Sequence, residues 1–175
     1  MKFVMPCQEY EQKAMQYIQE FYDHASDING TGGLDRFLKT STYSEWLLKI
    51  ANDLDVANIP QDRIPSYTYF YVREDDDKII GMINIRLALT DFLREEIGHI
   101  GYSIRPTERR RGYGTQMLRE ALVFCQLIGL NDVIISCDKA NIASAGVIKN
   151  CGGILDAEFY SETFKEVLQR YKIIL

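Results

Sequence analysis

Apolar residues recur at three- and four-residue intervals at Tyr10, Ala14, Tyr17, Ile18 and Phe21, so the first twenty-odd residues are expected to form an amphipathic helix. It must end before Asn29-Gly30-Thr31-Gly32-Gly33, a run with the composition of a loop. A second helical region spans about Leu34 to Leu54 and breaks near Thr40 to Thr42, where Thr42 and Glu45 have capping-box spacing ahead of Leu47, Ile50 and Leu54. Pro60 and Pro65 end it. Tyr67 to Arg73 is mostly aromatic and β-branched, Glu74 to Asp77 is a charged turn, and Ile79 to Leu89 reads as a second strand, which predicts a hairpin. Gly98 to Ile104 is another short strand-like run, closed by Pro106. Met117, Leu118, Ala121, Leu122, Cys125 and Ile128 trace one helical face between Gly114 and Gly129, and the apolar strand Val133 to Cys137 follows. Ile142 to Asn150 predicts a short helix stopped by Gly152-Gly153, and Ile154 to Tyr160 with Leu168 to Ile174 a final strand pair.

The 175 residues are the size of one domain, and a 46% hydrophobic fraction with 26% charged residues is that of an ordinary globular chain. A net charge of −5 argues against non-specific nucleic-acid binding, which needs a broad positive surface, and is compatible with a cationic partner. Cys7, Cys125, Cys137 and Cys151 lack C-x-x-C spacing, and the two histidines, His24 and His99, lie far apart, so neither a disulfide framework nor a metal site is expected. No apolar run reaches the length of a membrane span, and Pro6 and charges stand where a signal peptide places its apolar region. A cytoplasmic chain with no membrane partner is expected.

Against this acidic background, Ile104-Arg105-Pro106-Thr107-Glu108-Arg109-Arg110-Arg111-Gly112-Tyr113-Gly114-Thr115 carries four arginines and one glutamate between a strand and a helix start. Glycines at 112 and 114 let the backbone turn tightly and approach a ligand, and the helix start adds unpaired amides and a positive dipole end. Such a place binds phosphate. The segment is neither a Walker loop, lacking Lys-Ser or Lys-Thr after the second glycine, nor the G-x-G-x-x-G dinucleotide fingerprint. The alternative is a solvated basic turn with helix-capping glycines.

The pattern Arg109-x-x-Gly112-x-Gly114 after a strand and a proline, then an amphipathic helix, an apolar strand and Asp138-x-x-Asn141-x-x-Ser144, resembles the GNAT superfamily of acyl-CoA N-acyltransferases. Gly98 to Pro106 further resembles a branch of bacterial predicted acetyltransferases. The resemblance is strongest from Tyr67 to Gly153. It implies an α+β fold in which a mixed, mostly antiparallel sheet of six or seven strands is flanked by helices, with the strands at Gly98 to Ile104 and Val133 to Cys137 splayed. Residues 1–66 are then a helical substrate-facing region, 67–153 the cofactor-binding core and 154–175 a C-terminal strand pair, all within one domain. The resemblance also implies acetyl-CoA as cosubstrate. Its pyrophosphate is expected on the amides of Arg109, Arg110, Arg111, Gly112, Tyr113, Gly114 and Thr115, and its pantetheine arm on Tyr102, Ser103 and Ile104, with Asn141 and Ser144 in support.

Many members of that family carry a tyrosine seven residues after the asparagine as general acid, and here the position is Ile148. Tyr113 and Tyr160 qualify as substitutes by residue type alone, with packing the stronger expectation for Tyr160. A neutral amine must attack the thioester, and His99, on the strand leading to Ile104, is the candidate base, the alternative being a packed, hydrogen-bonded core histidine. Asp91, Glu95 and Glu96 are candidates for attracting a cationic acceptor, and Tyr67, Tyr69, Phe70 and Tyr71 for lining its cleft, with solvation and core packing as the respective alternatives. The expected function is transfer of an acetyl group to a primary amine of a small molecule or peptide by a monomer or homodimer. A non-catalytic acyl-CoA sensor and a domain whose basic loop binds another anion are the alternatives.

Overall fold

The computed structural model describes residues 1–54, 59 and 64–175. Pro60, expected to end helical structure, lies outside the described residues. No described helix is long and apolar enough to cross a membrane. Contacts within the chain define two compact units, residues 1–87 with 101–113, and residues 88–100 with 114–175. Of the expected stretches, 1–66 falls in the first unit and 154–175 in the second, whereas 67–153 is divided between them.

The first unit holds strands β1 (Lys2–Val4), β2 (Ser66–Arg73), β3 (Lys78–Arg86) and β4 (Ile100–Ile104), hydrogen-bonded in that order, and helices α1 (Glu11–Asp23), α2 (Leu34–Phe37) and α3 (Tyr43–Asn52). The expected hairpin is antiparallel, with Phe70 opposite Met82 and a register shift between Tyr71 and Val72. Strand β3 stops at Arg86, short of the expected Leu89: the Leu87 amide still donates to the opposed Pro65 carbonyl at 2.9 Å, but Pro65 has no N–H to return the bond. The periodic residues Ala14, Tyr17, Ile18 and Phe21 are buried with Leu34, Tyr43, Trp46, Phe70, Val72, Ile79 and Met82. Fully burying a large apolar side chain contributes about 1.5–3 kcal/mol, so this one face of α1 accounts for its position. Thr42 and Glu45 form the expected capping box at the start of α3.

The first residues depart from expectation: Lys2 to Val4 are a strand, not helix, paired antiparallel with β2. Met5 precedes Pro6, which disfavours helical backbone there, and Phe3 gains ring contacts with Tyr69 and Tyr71 at 5.7 and 5.0 Å.

The second unit holds a π-helical turn at Leu93–Ile97, helices α4 (Tyr113–Leu127) and α5 (Ile142–Asn150), and strands β5 (Asp132–Asp138), β6 (Ile154–Ser161) and β7 (Glu166–Ile174) in the antiparallel order β5, β7, β6. Its buried residues include five of the six predicted for the α4 face, Met117, Leu118, Ala121, Leu122 and Cys125, whereas Ile128 lies beyond the helix end and is exposed. Cys125 and Cys137 are buried and Cys7 and Cys151 half-buried, all with unpaired thiols. Seven strands agree with the expected number, but their ladders form sheets of four and three strands. The stretch from Gly98 meets β5 in an isolated bridge, Gly98 to Ile135, and not in a continuous ladder among the described residues.

Candidate functional site

Beyond β4, Pro106 to Glu108 form one 3-10 turn, for which proline's fixed φ suits the first position. Arg109 is extended, Arg110 is left-handed at φ 61° and Gly112 at φ 80°, and α4 starts at Tyr113. The chain therefore reverses over Arg110 to Gly112 and presents the first amides of a 15-residue helix, which have no partner inside the helix and carry its positive dipole end. A Cβ on Gly112 would meet nothing within 4 Å, so open space lies over the turn. Gly114 is helical and not among the positive-φ glycines, so the tight-turn role expected of both glycines falls on Gly112 and on Arg110.

The arginines do not form the fan of cations that their sequence suggests. Buried Arg105 donates from Nε to the Ile79 carbonyl at 2.8 Å and from Nη1 to Glu20 at 2.7 Å, and its guanidinium covers the Tyr17 ring. Glu20 also accepts the Thr107 amide at 3.0 Å and hydroxyl at 2.7 Å. Burial works to raise the Glu20 carboxyl, but the Thr107 and Arg105 hydrogen bonds hold it below the usual glutamate range. Arg109 donates to the Ile104 carbonyl at 3.1 Å and to Ser26 at 2.8 Å, and lies over the Phe21 ring. Arg111 pairs with Glu108 at 3.0 Å. Arg110 is exposed, and no side-chain partner is found for it among the described residues. Glu20, Glu108, Arg73 and Lys78 were not singled out by sequence reasoning. A lone glutamate inside an arginine run is a signal for Glu108, and nothing local marks Glu20.

Strand β4 is tied to the loop that follows α1. The Ser103 hydroxyl donates to the Asn29 carbonyl at 2.5 Å, and Tyr17 donates to the Ser103 carbonyl at 2.9 Å and lies 3.0 Å from its hydroxyl. Ser103 thus has both its hydroxyl and its carbonyl engaged within the chain. Gly30 sits at φ 72°, and a Cβ there would come within 2.3 Å of the Gly101 carbonyl, so the backbone of this loop lies directly on β4. Tyr102 and Ile104 are half-buried.

A family model for the acetyltransferase (GNAT) domain matches residues 14–154, most of the chain. The chain belongs to the GNAT acetyltransferase family. A ribosomal-protein-S5-alanine acetyltransferase from Vibrio fischeri has the same fold, with a TM-score of 0.73 over 98% of this chain and 91% of that one at 15% identity. A ribosomal L7/L12 alpha-N-protein acetyltransferase in complex with coenzyme A superposes with a TM-score of 0.71 over 99% of this chain and 93% of its own at 13% identity. By sequence, N-acetyltransferase family 8 member 3 from Rattus norvegicus is 26% identical over 110 residues, 61% of this chain and 47% of the relative. The chain spans about half the length of the curated relatives it matches.

The second unit holds most of the remaining candidate residues of this GNAT chain. His99 is 6% exposed, its amide donates to the Ile134 carbonyl at 2.7 Å, and its Nδ1 accepts the Ile134 amide at 3.0 Å. A ring whose Nδ1 receives an N–H carries its own proton on Nε2 when neutral, so neither nitrogen has a lone pair to offer an acceptor while that bond lasts. The geometry fits the core-histidine alternative better than the base. Gly98 at φ 86° explains the approach, since a Cβ there would lie 2.2 Å from the Ile134 carbonyl. Asn141 caps α5, its side chain accepting the Ser144 amide at 3.0 Å, and burial pushes the Cys137 thiol up. Ile148 is fully buried. Tyr160 is 54% exposed on β6, so the packing expected of it is not made. Glu96 accepts the Ser161 hydroxyl at 2.6 Å and the Glu95 main-chain carbonyl accepts Arg170 at 3.3 Å, which fastens the π-helical turn to β6 and β7, while Asp91 and Glu95 are exposed, as the solvated alternative expects. In the first unit, Tyr67 stacks on Tyr69 at 5.9 Å.

Proposed function

We propose that the protein is an N-acetyltransferase that moves an acetyl group from acetyl-CoA to a primary amine of a small molecule or peptide by direct attack. The observation that carries this is the turn at Arg110 to Gly112, open above Gly112 and followed by the unpaired amides of α4. Those groups fit a diphosphate, because backbone N–H donors at a helix start bind anions without a bulky side chain between. The amides of Arg109 to Thr115 hold the pyrophosphate, with the exposed Arg110 adding a salt-sensitive contribution. The backbone of Tyr102 to Ile104 takes the pantetheine arm, and the Asn141 amide is the contribution proposed for the second unit, with Ser144 as support for Asn141. Family membership supports the reading, as does the coenzyme A held by a solved relative.

When bound, acetyl-CoA supplies an activated thioester. The acceptor nitrogen forms the new bond to the acetyl carbon, the carbon–sulfur bond breaks, and the sulfur leaves with the electron pair. An alkylamine with a pKa of about 10.4 is about three units from its neutral form at pH 7, a cost of roughly 4 kcal/mol. Water takes that proton in this reading, because Nδ1 of His99 is occupied by the Ile134 amide. Ile148 has no proton to give, and a thiolate with a reference pKa of about 8.5 leaves acceptably with water as the acid.

Calorimetry with CoA and a thiol-release assay with acetyl-CoA against a panel of small amines and peptides test the proposal. Binding with amine-dependent thiol release is expected. Binding with no release for any amine would favour a sensor, and absence of CoA binding would overturn both readings.

A further inference from the structure

Glu108 is the one acidic side chain in the segment from Ile104 to Thr115, where a polyanion is proposed to bind. Simple electrostatics makes a carboxylate there a liability. Yet it is 4% exposed, and both of its oxygens are engaged by cations. Oε2 accepts Arg73 Nη1 at 3.1 Å and Arg111 Nη1 at 3.0 Å, while Oε1 accepts Lys78 Nζ at 2.9 Å and Arg73 Nη2 at 3.3 Å. Arg73 is itself fixed by Asp76, which it contacts from Nε at 2.9 Å and Nη2 at 2.7 Å.

The reversal at Arg110 to Gly112 is thus anchored where it begins: Arg73 on the β2 end of the hairpin and Lys78 at the start of β3 hold Glu108, two residues before Arg110, and Arg111 within the turn joins them on the same carboxylate. Burial works to raise the Glu108 carboxyl, but its hydrogen bonds and charges from Lys78 and Arg73 keep it below the usual range, so it remains ionised near neutrality.

Resting on the acetyl-CoA reading above, we propose that Glu108 is a positioning residue: it fixes the turn whose amides bind the coenzyme diphosphate. The sign of the expected effect separates this from charge alone. Removing a negative charge near a polyanion should tighten binding by Coulomb attraction. A positioning carboxylate predicts weaker binding, because the amide of a glutamine presents N–H groups to cations that are also donors, and the turn loses its anchor.

The test is CoA affinity by calorimetry on the full chain, wild type against Glu108→Gln, at low salt and well below both thermal midpoints. At least about a ten-fold loss of affinity is expected. With an amine that turns over in the panel above, KM for acetyl-CoA should rise by a similar factor while kcat at saturation stays within about two-fold, a split that a general loss of folding does not give. Equal or tighter CoA binding by Glu108→Gln overturns the proposal. Should Glu108→Gln not fold, Glu108→Asp keeps the charge and shortens the reach. Weaker CoA binding by folded Glu108→Asp supports positioning, and wild-type affinity, or failure of this variant to fold as well, overturns it. If wild type itself does not bind CoA, the acetyl-CoA reading fails; if wild type binds and the variant binds equally, Glu108 alone is excluded.

Discussion

Gly112→Ala offers the sharpest separation of backbone strain from ligand contact, because the protein contains its own control. Gly112 and Gly129 have φ of 80° and 89°, and a Cβ on either meets nothing within 4 Å. Left-handed backbone costs a residue with a Cβ about 1–2 kcal/mol, so both alanine variants should lose that much stability. For a chain of this size, 1 kcal/mol shifts Tm by about 2–4 °C, which predicts a fall of roughly 2–8 °C in each, read by thermal unfolding without ligand. The two should part on adding CoA. At Gly112 the new methyl enters the space over the turn where the diphosphate is proposed to lie. Gly129 ends α4 far along the chain from that turn, its amide bonded to the Gln126 carbonyl. Losing one hydrogen bond to a charged group costs about 1.5–3 kcal/mol, hence a roughly ten- to hundred-fold rise in Kd for Gly112→Ala and a change within about two-fold for Gly129→Ala. Equal CoA affinities in the two variants, with equal losses of Tm, would refute the placement of the diphosphate over Gly112.

Three further outcomes are expected. Glu20 has a folded-state pKa below its ordinary 4.5, so its contribution to stability is complete above that value and is lost as pH falls through the lower, folded-state pKa. Glu20→Gln should therefore be less stable at neutral pH and should lack this part of the acid slope in unfolding measured from pH 6 downward. Ile148→Val, at a fully buried position, should cost about 0.5–1.5 kcal/mol in denaturant unfolding with turnover within a few fold, and a collapse of turnover without loss of stability would give the position a direct part in catalysis. His99→Ala should lower Tm while leaving the pH profile of turnover in shape; a wild-type inflection near about pH 6.5 that the variant abolishes would restore His99 as the base.

What the sequence made legible was local. The α1 face, the Thr42 and Glu45 capping box and α5 at Ile142–Asn150 follow from residues within a turn or two of each other, and they appear where expected. The three-residue strand β1 was not legible, because nothing in Lys2 to Val4 reports the β2 partner it pairs with, with Phe3 opposite Tyr71. Nor was the grouping of seven strands into two ladders, since the short apolar alternation of β4 and β5 is equally compatible with either neighbour. At the candidate site, the reversal before α4 was legible from its glycines, but only half of its left-handed backbone was: the sequence favours Gly112 and Gly114, and the structure uses Gly112 and Arg110. The ion pairs were the least legible feature. Arg105 and Glu20 lie 85 residues apart, and Glu108 lies 35 from Arg73.

Those pairs change what the arginine-rich loop means. Read along the chain, it is a cluster of charge, and affinity for a polyanion would then fall steeply with salt, because exposed charges are screened beyond about 8 Å at physiological ionic strength. Read in space, Arg105 and Thr107 converge on Glu20, Arg111 joins Arg73 and Lys78 on Glu108, and Arg109 holds Ile104 and Ser26. These charges shape the backbone. A helix start offers fixed amide dipoles, but they act together only if the preceding turn keeps them aimed at one point, and a turn with departures from ordinary backbone at both Arg110 and Gly112 does not hold itself. Carboxylates that each receive several donors, Glu108 buried and Glu20 half-buried, are suited to that task, since an anchored pair is screened far less than an exposed one. The acidic residues under the loop are therefore what makes an anion site of it, and the arginines act mainly through them.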